Sequence, residues 1–255
     1  MEKIAKFISF PTEVPKPYGI FHIISLIFTL AMGVFLIRIL KNRDKRTEKR
    51  LFLIFSVLLV AGEVYKQFVL SFENGYFEYN VYFFPLQFCS TPLYVYPLGL
   101  FTKSKRLYGG AVFYSATYCL FAGTLVLLYP GSVFCNMGGI NLQSVIHHAV
   151  MVIFGISLLI KHYGKFSKTD FFFGTGIFLF FLFVANVFNF VFKERVNMYY
   201  LNPFSSVKVP IVSGLVAGLP FPFAVFVYAF VYTVIALLLS GVTPSFYTRS
   251  AAHRP

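Results

Sequence analysis

Long, almost wholly apolar stretches separated by short polar loops use up nearly all of this chain. Each stretch has the roughly 20 residues that a helix needs to cross the hydrocarbon core of a bilayer. The sequence therefore predicts an all-α, polytopic membrane protein, a bundle of seven transmembrane helices within a single integral membrane domain that covers residues 1–255. The expected spans lie near residues 19–40, 51–72, 81–101, 107–130, 141–161, 170–192 and 214–240.

Composition supports lipid as the solvent for most of the chain. Hydrophobic residues make up 58% of the sequence and charged residues only 12%, against about a quarter charged in an ordinary soluble domain. The formal net charge of +13 comes from Lys and Arg in the loops between apolar stretches. That pattern orients membrane proteins, so we attribute the charge to topology and expect no nucleic acid partner.

Loop charge predicts the orientation. The second and fourth loops have no Lys or Arg, whereas the first, third and fifth are basic and are therefore expected on the cytoplasmic side. The amino terminus is then outside, and the tail with Arg249 and Arg254 is cytoplasmic. The sixth loop, 194–213, is expected outside as an ordered, aromatic-rich cap. Residues 1–18 lack a signal-peptide pattern, so we expect insertion without cleavage. The basic residues are Lys41, Arg43, Lys45, Arg46, Lys49 and Arg50 in the first loop, Lys103, Lys105 and Arg106 in the third, and Lys161, Lys165 and Lys168 in the fifth.

Polar side chains within the spans point to a site. Such groups are costly in lipid and usually face the bundle interior. The predicted topology places them all in the outer half of the bundle, with Cys89 about 12 Å and His147 about 9 Å from the outer ends of their helices. We therefore expect a polar cavity there. The residues concerned are Glu63 and Lys66 on the second span, Gln87 and Cys89 on the third, Ser144, His147 and His148 on the fifth, and Asn186 and Asn189 on the sixth.

Structural interpretations remain open for each of these residues. A cysteine in a spanning helix is often a small packing residue, and a histidine is often a hydrogen-bonded structural group. Glu63 and Lys66 can form a neutralised pair that fixes helix packing. Asn186 and Asn189 can join helices by hydrogen bonds.

Three segments carry a resemblance to a known family. FPLQFCS around Cys89, the intramembrane His147 and the later VNMYYLNPFSS together resemble the YwaF-like family of bacterial integral membrane proteins. That family looks related to the eukaryotic transmembrane protein 164, a lipid acyltransferase with a catalytic Cys and His, and more distantly to androgen-induced hydrolases that use Thr and His. The resemblance implies a multi-pass protein of the bacterial cell membrane.

The same resemblance implies a reaction. Cys89 matches the nucleophile and His147 the base, although the adjoining His148 leaves open which imidazole acts. Cys89 would attack an acyl ester of a membrane phospholipid to form a thioester. Gln87 stands where many relatives have His. It could hold the oxyanion, as could Asn186 or Asn189 or backbone groups near Pro85 and Pro92.

Helix geometry limits this hypothesis. Gln87 and Cys89, two residues apart, point to nearly opposite faces of a straight helix, so they serve one site only if the helix is broken there. The alternative function is a transporter or receptor for a small molecule or ion, with Glu63 and Lys66 at the centre of the cavity. Neither interpretation requires a cofactor, and no set of metal ligands is visible.

Overall fold

The computed structural model of the protein describes residues 1–205, 214, 216 and 218–241. The described chain is helical, and outside the helices and short turns its only β-type pairing is one bridge between Pro11 and Met137. A π-helical turn, Ser115–Cys119, joins α5 to α6 without a break. The helices are α1 (Glu2–Ser9), α2 (Ile20–Leu40), α3 (Lys45–Ser71), α4 (Pro92–Phe101), α5 (Lys105–Tyr114), α6 (Leu120–Leu128), α7 (Gly138–His162), α8 (Lys168–Phe192) and α9 (Phe221–Ser240).

Within the described residues, six helices are long and apolar enough to cross a membrane. They are α2, α3, the continuous α5–α6 unit, α7, α8 and α9. The apolar windows of α5–α6 and α7 are 67% buried, against 22–28% for the other four. The α5–α6 unit and α7 therefore form the centre of the bundle, and the others surround them with side chains facing lipid.

Helix starts follow capping chemistry. The Asp44 side chain accepts a hydrogen bond from the Thr47 backbone nitrogen at 2.9 Å and begins α3. Ser167 and Asp170 form a reciprocal capping box at the start of α8. Such caps satisfy backbone N–H groups that have no partner within the helix, and both lie in loops that were predicted to be cytoplasmic.

The seven-helix prediction is not confirmed, because the expected third span, 81–101, is not one helix. Only α4, its second half, is regular, and the preceding backbone has two short 3-10 turns, Val81–Phe83 and Phe88–Ser90. Phe84 is extended, with φ −55° and ψ 133°, as expected of a residue that precedes a proline. Pro85 also removes a backbone donor. The expected seventh span is described mainly as α9, and residues 206–213 and the tail with Arg249 and Arg254 lie outside the described residues.

The basic loops gather at one end of the bundle. There Glu48 of α3, only 2% exposed, accepts hydrogen bonds from the Tyr108 hydroxyl at 2.6 Å and from Lys161 Nζ at 2.6 Å, and it lies 3.0 Å from His162 Nε2. We call this the basic end. A buried carboxylate, paired with Lys161 and hydrogen-bonded to Tyr108, thus joins α3, α5 and α7.

Helix α1 lies at the opposite end, which we call the α1 end. The Phe10 carbonyl accepts a hydrogen bond from the Gly138 nitrogen at 3.0 Å, and the Thr12 nitrogen donates to the Asn136 carbonyl at 2.9 Å. The Tyr65 hydroxyl of α3 donates to the Ile8 carbonyl at 3.0 Å. These contacts hold α1 across the ends of α3 and α7. Hydropathy did not predict a helix at this position.

Candidate functional site

A cavity of about 450 Å³ lies in the half of the bundle nearer the α1 end. Its walls come from α3, α6, α7, α9 and the irregular segments around residues 82–90, 129–137 and 199–200. It therefore collects polar side chains from three predicted spans, together with tyrosines that sequence reasoning had missed. The polar residues in its walls include Lys66, Glu73, Gln87, Cys89, Ser144, His147, His148, Tyr199, Tyr228 and Tyr232.

Cys89 lies in the 3-10 turn directly before α4. Its sulfur is 3.9 Å from the Ala122 carbonyl oxygen, a weak contact. Its backbone carbonyl accepts a hydrogen bond from His147 Nε2 at 2.8 Å. The imidazole thus contacts the backbone of the predicted nucleophile and leaves the thiol turned toward Ala122.

That contact defines the tautomer of His147. A carbonyl oxygen only accepts, so Nε2 carries the proton and Nδ1 has the free lone pair in the neutral ring. The contact also holds the ring beside Cys89.

His148 has its proton on the other nitrogen. Nδ1 lies 2.7 Å from the Ser144 carbonyl one turn earlier, so Nδ1 is the donor. The lone pair is then on Nε2, which has no hydrogen-bond partner among the described residues. The two rings are 5.4 Å apart, and each residue is 7% exposed. The cavity wall thus offers two imidazoles that, in the neutral form, have their lone pairs on different nitrogens.

Lys66 places a cation in the cavity wall, and Glu63, which lies outside the wall, neutralises it. The Lys66 Nζ atom is 2.8 Å from Glu63 Oε2. Gln67 Nε2 donates to Glu63 Oε1 at 2.6 Å and to the Phe83 carbonyl at 2.7 Å. Glu63 itself does not line the cavity, so the expected pair forms with only its lysine facing the space.

The break before α4 allows Gln87 and Cys89 to reach one site. The Gln87 amide is already engaged: Nε2 donates to the Asn197 carbonyl at 2.9 Å, and Oε1 accepts from the Tyr199 nitrogen at 3.0 Å. Gln87 therefore joins two segments 110 residues apart and acts as a clamp on the backbone. This contact uses one of the two hydrogens on its amide nitrogen.

The two asparagines of α8 lie elsewhere. Asn189 pairs with both backbone groups of Met198, donating to its carbonyl at 3.0 Å and accepting from its nitrogen at 2.7 Å. Asn186 donates to the Leu182 carbonyl at 2.7 Å and lines a shallow groove on the outside of α8. The structure places neither in the cavity wall, and Asn189 supports the 196–202 segment instead.

Four tyrosines of the cavity wall come from the 3-10 turn Met198–Tyr200 and from α9. Tyr199 and Tyr200 have φ of 56° and 55°, a left-handed conformation that is costly for large residues and often marks functional segments. The ring of Tyr199 stacks on the ring of Phe88, with the two centroids 5.3 Å apart, and Phe88 is the residue directly before Cys89. Tyr228 and Tyr232, one turn apart on α9, stack at 4.3 Å. Their four-residue spacing was the signal in the sequence that could have found them.

Comparison with known proteins gives one match. The sequence profile of the TMEM164 family matches residues 17–240, most of the chain. Searches of the curated proteins and of the solved structures find no match. The family and the six apolar helices together indicate a multi-pass membrane protein. The match covers all the segments that carried the resemblance, and the chain therefore belongs to the TMEM164 family.

Proposed function

We propose that the protein is an intramembrane lipid acyltransferase or hydrolase that works through a thioester on Cys89. The observation that carries the proposal is the cavity that holds the Cys89 residue together with the imidazoles of His147 and His148. A thiol in apolar surroundings becomes a useful nucleophile when a nearby base takes its proton. Membership of the TMEM164 family supports the same chemistry.

The reaction would proceed in two transfers. In the first, an imidazole takes the thiol proton, and the sulfur attacks the ester carbonyl carbon of a phospholipid. The carbon–oxygen ester bond breaks, the leaving alkoxide takes the proton from the imidazolium, and the acyl group remains on sulfur. In the second, a lysolipid hydroxyl or water gives its proton to the imidazole and attacks the thioester. The carbon–sulfur bond breaks, and the thiolate recovers the proton.

We assign the base to His147, because its hydrogen bond to the Cys89 carbonyl holds it beside the nucleophile. The proton acceptor would be Nδ1, the nitrogen that this contact leaves free. A rotation of the thiol away from the Ala122 carbonyl is then required, and the 3.9 Å contact there is weak enough to allow it.

Lys66 supports a phospholipid as substrate. In the described part of the cavity wall Lys66 is the cation and Glu73 is the carboxylate. A headgroup phosphate would therefore interact favourably with the ammonium group of Lys66 and not with Glu73. Glu63 would keep the lysine oriented when no lipid is bound.

The test is acyl exchange between phospholipid and lysolipid by protein reconstituted in liposomes. We expect the Cys89→Ser and His147→Ala proteins to remain folded and monodisperse but to have no exchange activity. Cys119→Ser is the matched control, because Cys119 is buried and does not line the cavity. Full exchange by a folded Cys89→Ser protein would rule out the proposal.

The position of Lys66 also favours a second candidate, a carrier or receptor that binds a small anion in the same cavity. In that case Glu63→Gln, which disturbs the 2.8 Å ion pair, would change ligand binding, and Cys89→Ala would be tolerated. Loss of acyl exchange in Cys89→Ala with ligand binding unchanged would instead favour the acyltransferase.

A further inference from the structure

A second cavity reaches His147 from the outside of the bundle. This cleft, of about 330 Å³, lies between α1, α3 and α7. Its walls are almost wholly apolar, and they end at His147 and Gln143. The cleft is lined by Ile8, Phe10, Leu58, Leu59, Ala61, Gly62, Tyr65, Gly139, Leu142, Gln143, Ile146 and His147.

The cleft and the cavity at Cys89 share part of their walls. His147 and Gln143 line both spaces, so these two side chains separate them. The Gln143 amide has no hydrogen-bond partner among the described residues. Opposite it lies Gly62, where an added Cβ atom would be in ordinary van der Waals contact, 3.4 Å from Gln143 Nε2. Of the two side chains that separate the spaces, His147 is held by the Cys89 carbonyl, and Gln143 is therefore the one that can move.

The mouth of the cleft is on the surface that faces lipid. Leu58, Leu142 and Ile146 are 42%, 47% and 40% exposed, on two helices long and apolar enough to span a membrane. Helix α1 covers the cleft and is fixed by the hydrogen bond from Tyr65 to the Ile8 carbonyl. In a bilayer an apolar cleft of this kind is bathed by acyl chains and not by water.

We propose that the cleft admits one acyl chain of a membrane lipid sideways from the bilayer and holds it with its ester end at His147. The site is then supplied from within the membrane, while the polar headgroup occupies the larger cavity near Lys66. The inference rests on the proposed function for the identity of the reaction, but occupancy of the cleft does not require any reaction.

A groove on α8 provides the comparison. It has a similar volume of about 360 Å³ and is also apolar and exposed to lipid, but it shares no residue with the cavity at Cys89. Its lining is Phe183, Asn186, Val187, Phe190 and Val191. General contact with bilayer lipid would bring acyl chains to the cleft and to the α8 groove equally, whereas a specific acyl site would hold a chain only in the cleft.

The experiment uses the full chain with Cys89→Ser in liposomes that contain a phosphatidylcholine with a diazirine in one acyl chain. After illumination, cross-linked residues are mapped by peptide mass spectrometry. We expect cross-links at Leu142 and Ile146 to exceed those in the α8 groove several-fold. Gly62→Leu, which fills the cleft, should reduce the cross-links at Leu142 and Ile146 several-fold. Val187→Phe, which fills the α8 groove instead, should leave them unchanged. Ile146→Trp fills the cleft from the α7 side and should reduce cross-links at Leu142 even if Gly62→Leu fails to fold.

The outcomes separate this site from the reaction. Equal cross-linking of the cleft and the α8 groove, or cross-linking unchanged by both filling variants, would overturn the acyl site. Because the protein used is Cys89→Ser, cross-links in the cleft support the site even if wild-type protein forms no thioester. Conversely, thioester formation at the wild-type rate in Gly62→Leu or Ile146→Trp would reject the cleft and retain the reaction.

Discussion

The protons of two adjacent imidazoles lie on different nitrogens because each ring meets a different backbone carbonyl. His147 donates from Nε2 to Cys89, across helices, and His148 donates from Nδ1 to Ser144, within its own helix. The first contact positions a ring against the candidate nucleophile, whereas the second only orients a ring along α7. This difference is the reason to assign the base to His147.

Glutamine variants test that assignment. A His147→Gln side chain can still donate to the Cys89 carbonyl but has no basic nitrogen, so we expect acyl exchange to fall by about 10²–10⁴-fold, the usual contribution of a general base. The melting temperature should change little. His148→Gln should reduce exchange far less. A larger loss in His148→Gln than in His147→Gln would transfer the role to His148.

Gln87 supplies a prediction about stability. Gln87→Leu leaves the Asn197 carbonyl and the Tyr199 nitrogen without their partner. An unpaired buried polar group costs about 1–3 kcal/mol, so we expect a lower melting temperature in detergent and weaker acyl exchange. Gln143→Leu is the control for stability, because its amide has no hydrogen bond to lose among the described residues. An unchanged melting temperature in Gln87→Leu would contradict the clamp.

The helices differ in how well their bounds could be predicted from the sequence. Hydropathy located four of the six long helices to within three residues at each end, since crossing a bilayer dictates their length and composition. The prediction placed the start of α3 six residues too late, because α3 begins at Lys45, and the start of α9 seven residues too early, because α9 begins at Phe221. It failed at residues 81–101, which are equally apolar. There the backbone is broken by Pro85 and satisfied by Gln87 and the 197–199 segment. A partner 110 residues away leaves no mark on local periodicity.

Close helix packing gives a prediction at the same scale. A Cβ atom on Gly110 of α5 would lie 2.6 Å from Phe173 Cβ and 2.9 Å from its carbonyl carbon on α8. Because backbone must move, we expect Gly110→Ala to cost about 1–3 kcal/mol, seen as a lower melting temperature. Gly176→Ala on α8 is the matched control, with no atom within 4 Å of the new Cβ. Equal stability of the two variants would contradict the close contact.

At the scale of the whole molecule, loop charge predicted which helix ends lie together. The structure gathers the basic loops around Glu48 and places α1 at the other end. The assignment of the basic end to the cytoplasm remains a prediction. In a protein without native cysteines, Asn42→Cys should react with a membrane-impermeant maleimide only in inside-out vesicles, and Asn74→Cys only in right-side-out vesicles. The reverse pattern would invert the orientation.

Depth along the helices also predicted much of the site, but not all of it. Residues placed at one depth did meet when their helices also faced inward, as for Lys66, Cys89, His147 and His148. Asn186 has a similar predicted depth, but it is buried beside a groove on α8 and does not line this cavity. Depth follows from loop charge and helix rise, whereas the direction a helix faces depends on packing with its neighbours. Tyr199 was missed because its left-handed backbone has no signature in residue type.

The most direct test of the central claim is the intact mass of protein quenched in acid after incubation with phospholipid liposomes that lack lysolipid. A Cys135→Ser background removes the other cysteine that lines the cavity. We predict an adduct with the mass of one acyl group, located on Cys89, removed by hydroxylamine and missing from the Cys89→Ser protein. An unmodified wild-type mass, or an adduct that persists in Cys89→Ser, would contradict the account.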